Sequence, residues 1–306
     1  MTLQQLKYVI AVAEAGSISE AAAGLFISQP SLSNAIKELE SEIGMNIFAR
    51  TNRGIVISSE GEEFLGYARQ VVQQAELLED KYINTGNSKQ RFSVSTQHYA
   101  FTANAFVDLI KEFGSDEYDF ALRETKTYEI IEDVKMLKSE IGVLYLSSFN
   151  ETVISKLIKD SNLVFTELFT VKPHVFVKRE NPLAGEKSVK LKDFEGVPYV
   201  SFDQGSQNSF YFSEEVLSTM DHKKSIRVTD RAAVINLVIG LDAYTIATGV
   251  YPEYLHDDDI VAVPLSDVDE KMRVGYLTHK DTILSELGNI YISALQRVAQ
   301  TVSLHK

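Results

Sequence analysis

Six side chains close together in the sequence carry a chemistry of their own. Gln29, Pro30, Ser31, Ser33, Asn34 and Lys37 bring short donor and acceptor groups, one proline and one cation onto a single stretch. Such groups hydrogen-bond base edges in a DNA major groove, while a lysine meets phosphate. Further on, Arg50 and Arg53 flank a Thr-Asn turn. Arginines at a turn of that kind clamp phosphate or enter a minor groove. A plainer alternative stands beside each reading: a solvated helix face for the first set, a solvated turn for the second.

The elements that must position these groups can be read from the same residues. Ser28 is a good N-cap and Pro30 suits a first helical turn, where a backbone N–H has no helical partner. Leu32, Ile36, Leu39 and Ile43 then follow at spacings of 4, 3 and 4, one apolar stripe opposite the polar face. Gly44 ends the helix. Before it, residues 17–25 form a short Ala-rich helix that Ser17 or Ser19 can cap, and Phe26-Ile27-Ser28 is a turn short enough for a helix-turn-helix. The small residues, the short turn and the cap agree, which favours DNA reading over an ordinary amphipathic pair. Residues 48–58 read as a small hairpin, a wing beside the second helix.

Phe64, Ala68, Val71, Ala75, Leu78 and Tyr82 recur at 4, 3, 4, 3 and 4, a heptad seam. An apolar seam on a protruding helix needs a partner, either the chain's own next domain or a second copy; pairing of two copies is the preferred expectation. Charge points the same way. Residues 1–58 hold four cations and five carboxylates, a net of −1, within a chain of 306 residues and net charge −13. Affinity for phosphates is therefore poor for a single head, and tight DNA binding calls for more than one.

Beyond a polar, Gly-containing linker at 84–88 the texture changes. Strand-like runs at 92–96, 118–123, 141–146, 197–202, 225–228, 244–247, 260–264 and 273–278 alternate with helical patterns at 99–113, 128–138, 208–220, 231–240 and 282–302. This alternation predicts α/β structure with mainly parallel sheets. The chain has no cysteine, which excludes disulfides and thiolate chemistry. No run reaches the about 18 apolar residues needed to cross a bilayer, and the start lacks a signal-peptide pattern, so a soluble cytoplasmic protein with no membrane partner is expected. Gly-x-Ser-x-Gly, P-loop and Gly-x-Gly-x-x-Gly motifs are absent. His256-Asp257-Asp258-Asp259 reads as a solvated loop, because consecutive carboxylates point in different directions. No enzyme activity, catalytic residue, cofactor or metal is expected.

Ala-Glu-Ala-Gly-Ser-Ile-Ser-Glu-Ala-Ala at 13–22, Leu25, Ile27-Ser28-Gln29-Pro30-Ser31-Leu32-Ser33, Ile36, Leu39-Glu40, Ile43-Gly44, Phe48-Ala49-Arg50 and 57–61 together resemble the LysR-type transcriptional regulators. The resemblance implies a multidomain chain: an all-α winged helix-turn-helix at 1–58, a linker and dimerisation helix with hinge at 59–90, and an α/β effector-binding domain at 91–306. That last part would resemble periplasmic binding proteins, with subdomain I at 91–163 and 268–303 and subdomain II at 164–267. The crossings would fall near 163–166 and 265–269. The resemblance further implies homodimers that assemble into homotetramers on double-stranded DNA, and a small metabolite that alters DNA bending. The dimer seam would be Phe64, Ala68, Val71, Ala75 and Leu78. One departure is Val56, where family wings often carry another basic residue.

The ligand would lie in the cleft, at strand C-termini and helix N-termini, where open N–H groups favour anions. Ser95, Thr96, Gln97 and His98, then Ser147, Ser201, Asp203, Thr229 and Thr248, stand at such places, although each could simply cap a helix. Thr96-Gln97 is similar to a Thr-Gln pair in the cysteine-biosynthesis branch, which binds small anions and O-acylated serine there; many of that branch's other threonines are absent here. The expected effector is a small polar metabolite, with a carboxylate among the options. The alternative is a cytoplasmic solute-binding protein whose helical N-terminus serves only for assembly.

Overall fold

The structure is a computed structural model that describes residues 1–51, 54–82, 90–114, 117–205, 209–250 and 259–304. Contacts divide the chain into two units, Met1–Ser88 and Lys89–Lys306.

In the first unit, α1 (Leu3–Ala15) opens with a capping box between Thr2 and Gln5 and stops at Gly16, whose φ of 65° is left-handed. Helix α2 (Ile18–Gly24) is capped by Ser17, whose hydroxyl accepts the Glu20 N–H at 3.4 Å. Helix α3 (Gln29–Ile43) is capped by Ser28, which accepts the Ser31 N–H at 3.2 Å. Leu32, Ile36 and Leu39 of α3 are buried, while Ile43 is only half-buried. Strands β1 (Phe48–Thr51) and β2 (Gly54–Ile57) pair antiparallel as the expected hairpin. Glu40 of α3 ties in the hairpin's root, its carboxylate accepting the N–H groups of Ile47 at 2.8 Å and Phe48 at 3.0 Å. Helix α4 (Ser59–Tyr82) leaves this root so closely that a Cβ on Gly61 would stand 2.2 Å from the Ile47 carbonyl oxygen.

The second unit runs β3 (Gln90–Thr96), α5 (Ala100–Phe113), β4 (Tyr118–Glu124), α6 (Thr127–Lys135), β5 (Ile141–Leu146), α7 (Glu151–Asp160), β6 (Leu163–Val171) and β7 (His174–Lys178). It continues with β8 (Tyr199–Phe202), β9 (Ser225–Val228), α8 (Arg231–Leu241), β10 (Thr245–Ala247), β11 (Ile260–Pro264), β12 (Met272–His279) and α9 (Glu286–Leu304). One lobe holds a sheet of order β4-β3-β5-β12-β6. The other holds β8-β9 and β10-β7-β11, joined by a parallel bridge between Tyr199 and Tyr244 into the order β9-β8-β10-β7-β11. The two lobes repeat one pattern: three parallel neighbours, then two antiparallel additions.

The sheets are thus mixed rather than mainly parallel. Helices α5 and α6 supply the crossovers that parallel neighbours require, whereas β12 arrives from the other lobe and enters the first sheet from its opposite end. Elements α7, β6 and β7 go beyond the sequence-based expectation. Because β6 pairs with β12 along its length, the chain leaves the first lobe at 172–173 and not near 163–166. The expected helix at 208–220 is also absent: its described part holds only a 3-10 turn at Phe210–Phe212. There the Ser213 hydroxyl donates to the Glu215 carboxylate at 2.8 Å, and Glu215 accepts the Phe202 N–H at 2.8 Å. These local bonds compete with a helical ladder.

Candidate functional site

Two places carry chemistry. The first is the polar face of α3. Gln29, Pro30, Ser31, Asn34 and Lys37 are exposed, and Ser33 is half-buried. The apolar stripe behind them is what holds that face outward. Within the turn before α3, Phe26 is 95% exposed and adopts a left-handed φ of 55°. Arg50 belongs to β1, while Arg53 lies outside the described residues, as does the stretch 251–258 that holds most of the His-Asp run.

On α4 the heptad seam divides. Ala68 is buried with Leu6 of α1 and with Val72, and Phe64 packs against the same cluster. That part of the expected dimer seam is therefore committed to the chain's own first helix. Ala75 is half-buried. Among the described residues of α4, the large apolar side chains left to solvent are Tyr67, Val71 and Leu78, at 61%, 50% and 61% exposure. Tyr67 is not among the residues the heptad pattern singles out. It joins them because 67, 71 and 78 share one helical stripe.

The second place is a cavity of about 620 Å³ between the two lobes of the second unit. Phe176, Val234, Ile235, Val238, Ile246 and Val250 supply much of an apolar wall. Its polar groups come from loops and element ends: His98 after β3, Glu124 at the end of β4, Glu214 and Glu215, Asp230 and Arg231 at the start of α8, and Thr248 after β10. Helix α8 begins where it does because the Asp230 carboxylate accepts the Ala233 N–H at 2.8 Å.

Several contacts bridge the lobes around this cavity. The His98 Nδ1 lies 3.0 Å from both Glu214 oxygens, its backbone N–H donates to the same carboxylate at 2.9 Å, and its ring stacks on Phe202 at 4.0 Å. Arg231 pairs with Glu124 at 3.1 Å. The Thr127 N–H donates to the Gln204 side-chain oxygen at 3.1 Å, and the Tyr145 hydroxyl donates to the Ser213 carbonyl at 3.1 Å.

The electrostatics are acidic. Burial alone would hold His98 neutral, but the hydrogen bond and charge of Glu214, with the charge of Glu124, raise its pKa above the ordinary imidazole value. Burial also raises Glu124, against the lowering effects of Arg231 and His98. Glu215 is pushed up to about 8, first by burial and then by the neighbouring Glu214. One nitrogen stands out against these acids. The Arg231 Nη1 is buried and has no hydrogen-bond partner among the described residues. A buried donor left unmade is costly.

Of the expected effector residues, His98 and Thr248 line the cavity, and Thr229 directly precedes Asp230 but is exposed. Others are held by protein groups. Ser95 bonds to Asp133 at 2.7 Å and Ser139 at 2.8 Å. Thr96 donates to the Gln97 carbonyl at 2.8 Å. Gln97 donates to Thr127 at 2.6 Å and accepts from the Tyr145 N–H at 3.0 Å and the Tyr99 hydroxyl at 2.8 Å. All three are fully buried, so the Thr-Gln pair is a structural hub here. The Ser147 N–H is fixed by Asn150 at 2.7 Å, Asp203 accepts the Gly205 N–H at 3.2 Å, and Ser201 is half-buried within β8. The sequence reading missed Glu124, Arg231, Glu214 and the apolar wall. A search extended to every charged residue at a strand end or helix start reaches Glu124 and Arg231.

Comparison with known proteins bears on both places. Residues 3–62 match the model of the bacterial regulatory helix-turn-helix proteins of the lysR family, and residues 99–300 match that of the LysR substrate binding domain. The chain belongs to the LysR family. It is a DNA-binding transcriptional regulator with an effector-binding domain, and the α/β unit is the family's two-subdomain fold resembling periplasmic binding proteins. Among its relatives, the uncharacterised HTH-type transcriptional regulator YnfL of Escherichia coli is 27% identical over 254 residues, 82% of either chain. A full-length point variant of OxyR from Pseudomonas aeruginosa superposes with a TM-score of 0.68 at 17% identity, over 98% of this chain and 95% of its own. Full-length CbnR, solved with its target DNA, gives 0.57 at 20% identity over 97% and 100%. At such identities the last two establish the fold. YnfL is described as a transcriptional regulator, and HcaR of Escherichia coli, 30% identical over 209 residues, as a transcriptional activator. Among the described residues no helix is long and apolar enough to cross a membrane, and no group of three metal-ligating side chains is found.

Proposed function

We propose that this LysR-family chain acts in the cytoplasm and reads an operator with Gln29, Pro30, Ser31, Ser33, Asn34 and Lys37. Arg50 and Arg53 lie on the wing side, against backbone or minor groove. Two copies pair through α4 by way of Tyr67, Val71 and Leu78, and two such dimers form a tetramer. Its effector is a small metabolite with a polar, anion-compatible head, bound in the cavity between the lobes. There it shifts a balance between two tetramer shapes and so changes how far apart the heads stand. The observation that carries this reading is the exposed polar face of α3 within the matched helix-turn-helix region.

An electrophoretic titration against the DNA upstream of the protein's own gene tests it. The expected outcome is sequence-specific retention that weakens steeply as salt rises, because several phosphates are neutralised together. Equal affinity for a scrambled duplex overturns the reading. No retention at any salt returns the helical N-terminus to a purely assembling role.

A further inference from the structure

The cavity between the lobes also constrains what it takes, if it is the effector site as proposed above. Its polar end is a pair, not a single charge. The Arg231 guanidinium is held by Glu124 at 3.1 Å and keeps Nη1 buried without a partner among the described residues. Asp230 and Glu214 line the same space with His98, so with Glu124 the carboxylates still outnumber the cations there. Much of the rest of the wall is apolar, with Thr245 and Thr248 set into it.

Three head groups can be weighed against this arrangement. A simple carboxylate satisfies Nη1 but brings a second negative charge beside Glu124. A simple amine meets the carboxylates and leaves Nη1 unmade. A head with both signs on adjacent atoms meets both needs. Its carboxylate accepts from Nη1 while its ammonium donates to Glu124, closing a ring of alternating charges. We infer that the cavity takes a zwitterionic α-amino acid with a bulky apolar side chain, the head on the Arg231–Glu124 pair and the side chain against Val234, Val238 and Ile246. Burial raises the pKa of Glu124, and an ammonium would favour its ionised form.

Calorimetric titration of the full chain tests this with matched probes. These are L-phenylalanine and L-leucine, their deaminated forms 3-phenylpropionate and 4-methylpentanoate, their decarboxylated forms 2-phenylethylamine and isoamylamine, and glycine. The expected result is binding of at least one of the two amino acids, with both of its singly charged analogues about tenfold weaker or worse, the loss of one charge-assisted hydrogen bond. Glycine should not bind in the same range. Arg231→Met should weaken the binding about tenfold or worse; the probe series on the unaltered chain stands whether or not that variant folds. An analogue that binds as tightly as its parent amino acid, or no binding by either amino acid, overturns the inference. Ala247→Phe, which narrows the cavity at its wall, separates this failure from failure of the site. If a singly charged analogue binds best and Ala247→Phe weakens it, the cavity stays the effector site and only the zwitterion is wrong. If Ala247→Phe leaves unchanged the affinity of every probe that binds, the cavity is not the site and both readings fall.

Discussion

Both functional places are built on the start of a capped helix, and they use it in opposite ways. Helix α3 is capped by Ser28, and its first turn turns Gln29, Pro30 and Ser31 out to solvent. Helix α8 is capped by Asp230, and its first turn turns Arg231 and Ala232 into a cavity. The first arrangement suits a partner far larger than the helix, whose surface must be reached from outside. The second suits a small molecule that two lobes can enclose. The difference lies in what covers the helix. For α3 the apolar stripe Leu32, Ile36, Leu39 buries one side and leaves the other bare. For α8, Val234 and Val238 pack into the second lobe, while residues of the first lobe close over its start.

Variants can break this contrast one side at a time. Leu32→Ala, at a fully buried position behind the reading face, should cost about 2–5 kcal/mol of head stability in a denaturant titration. A loss below about 1 kcal/mol would mean that the stripe does not hold the face. Val71→Asp places a charge on the exposed apolar stripe of α4 and should cost roughly 1–3 kcal/mol of pairing. Sedimentation should then show dissociation at concentrations where the unaltered chain stays associated; unchanged assembly would remove Val71 from the interface.

The smallest effect concerns the cavity and pH. The fold favours protonated Glu215, at about 8, and protonated His98 more than the unfolded chain does. For both groups the folded pKa is the raised one. Their stabilisation is fully present below the ordinary carboxylate and imidazole ranges and is lost as pH rises through the folded values. The melting temperature should fall by on the order of 5 °C between about pH 6 and 9. Glu215→Gln should flatten that fall. A melting temperature that rises over the same interval contradicts the assignment.

The same contrast explains what was legible in the sequence. The head is local: cap, stripe, polar face and stop all lie within residues 28–44, so helical periodicity alone recovers them. The α4 seam was legible as a repeat, but which of its residues face a partner depends on α1, and α1 takes Phe64 and Ala68. The cavity is assembled from separate segments scattered between His98 and Ile260, and no spacing rule links Glu124 to Arg231. Hydroxyl-rich clusters after strands drew attention to Ser95, Thr96 and Gln97, yet those side chains answer the needs of buried backbone and neighbouring residues. The charged groups that matter lie one step away, where only the packed lobes bring them together.

The most direct test of the whole account compares Asn34→Ala with the unaltered chain on the upstream operator and on a scrambled duplex of equal length. If Asn34 meets a base edge, operator binding weakens by roughly 1–3 kcal/mol, scrambled-duplex binding stays where it was, and the melting temperature does not move. Operator affinity equal to that of the unaltered chain would contradict the claim that the bare side of α3 reads nucleotide sequence.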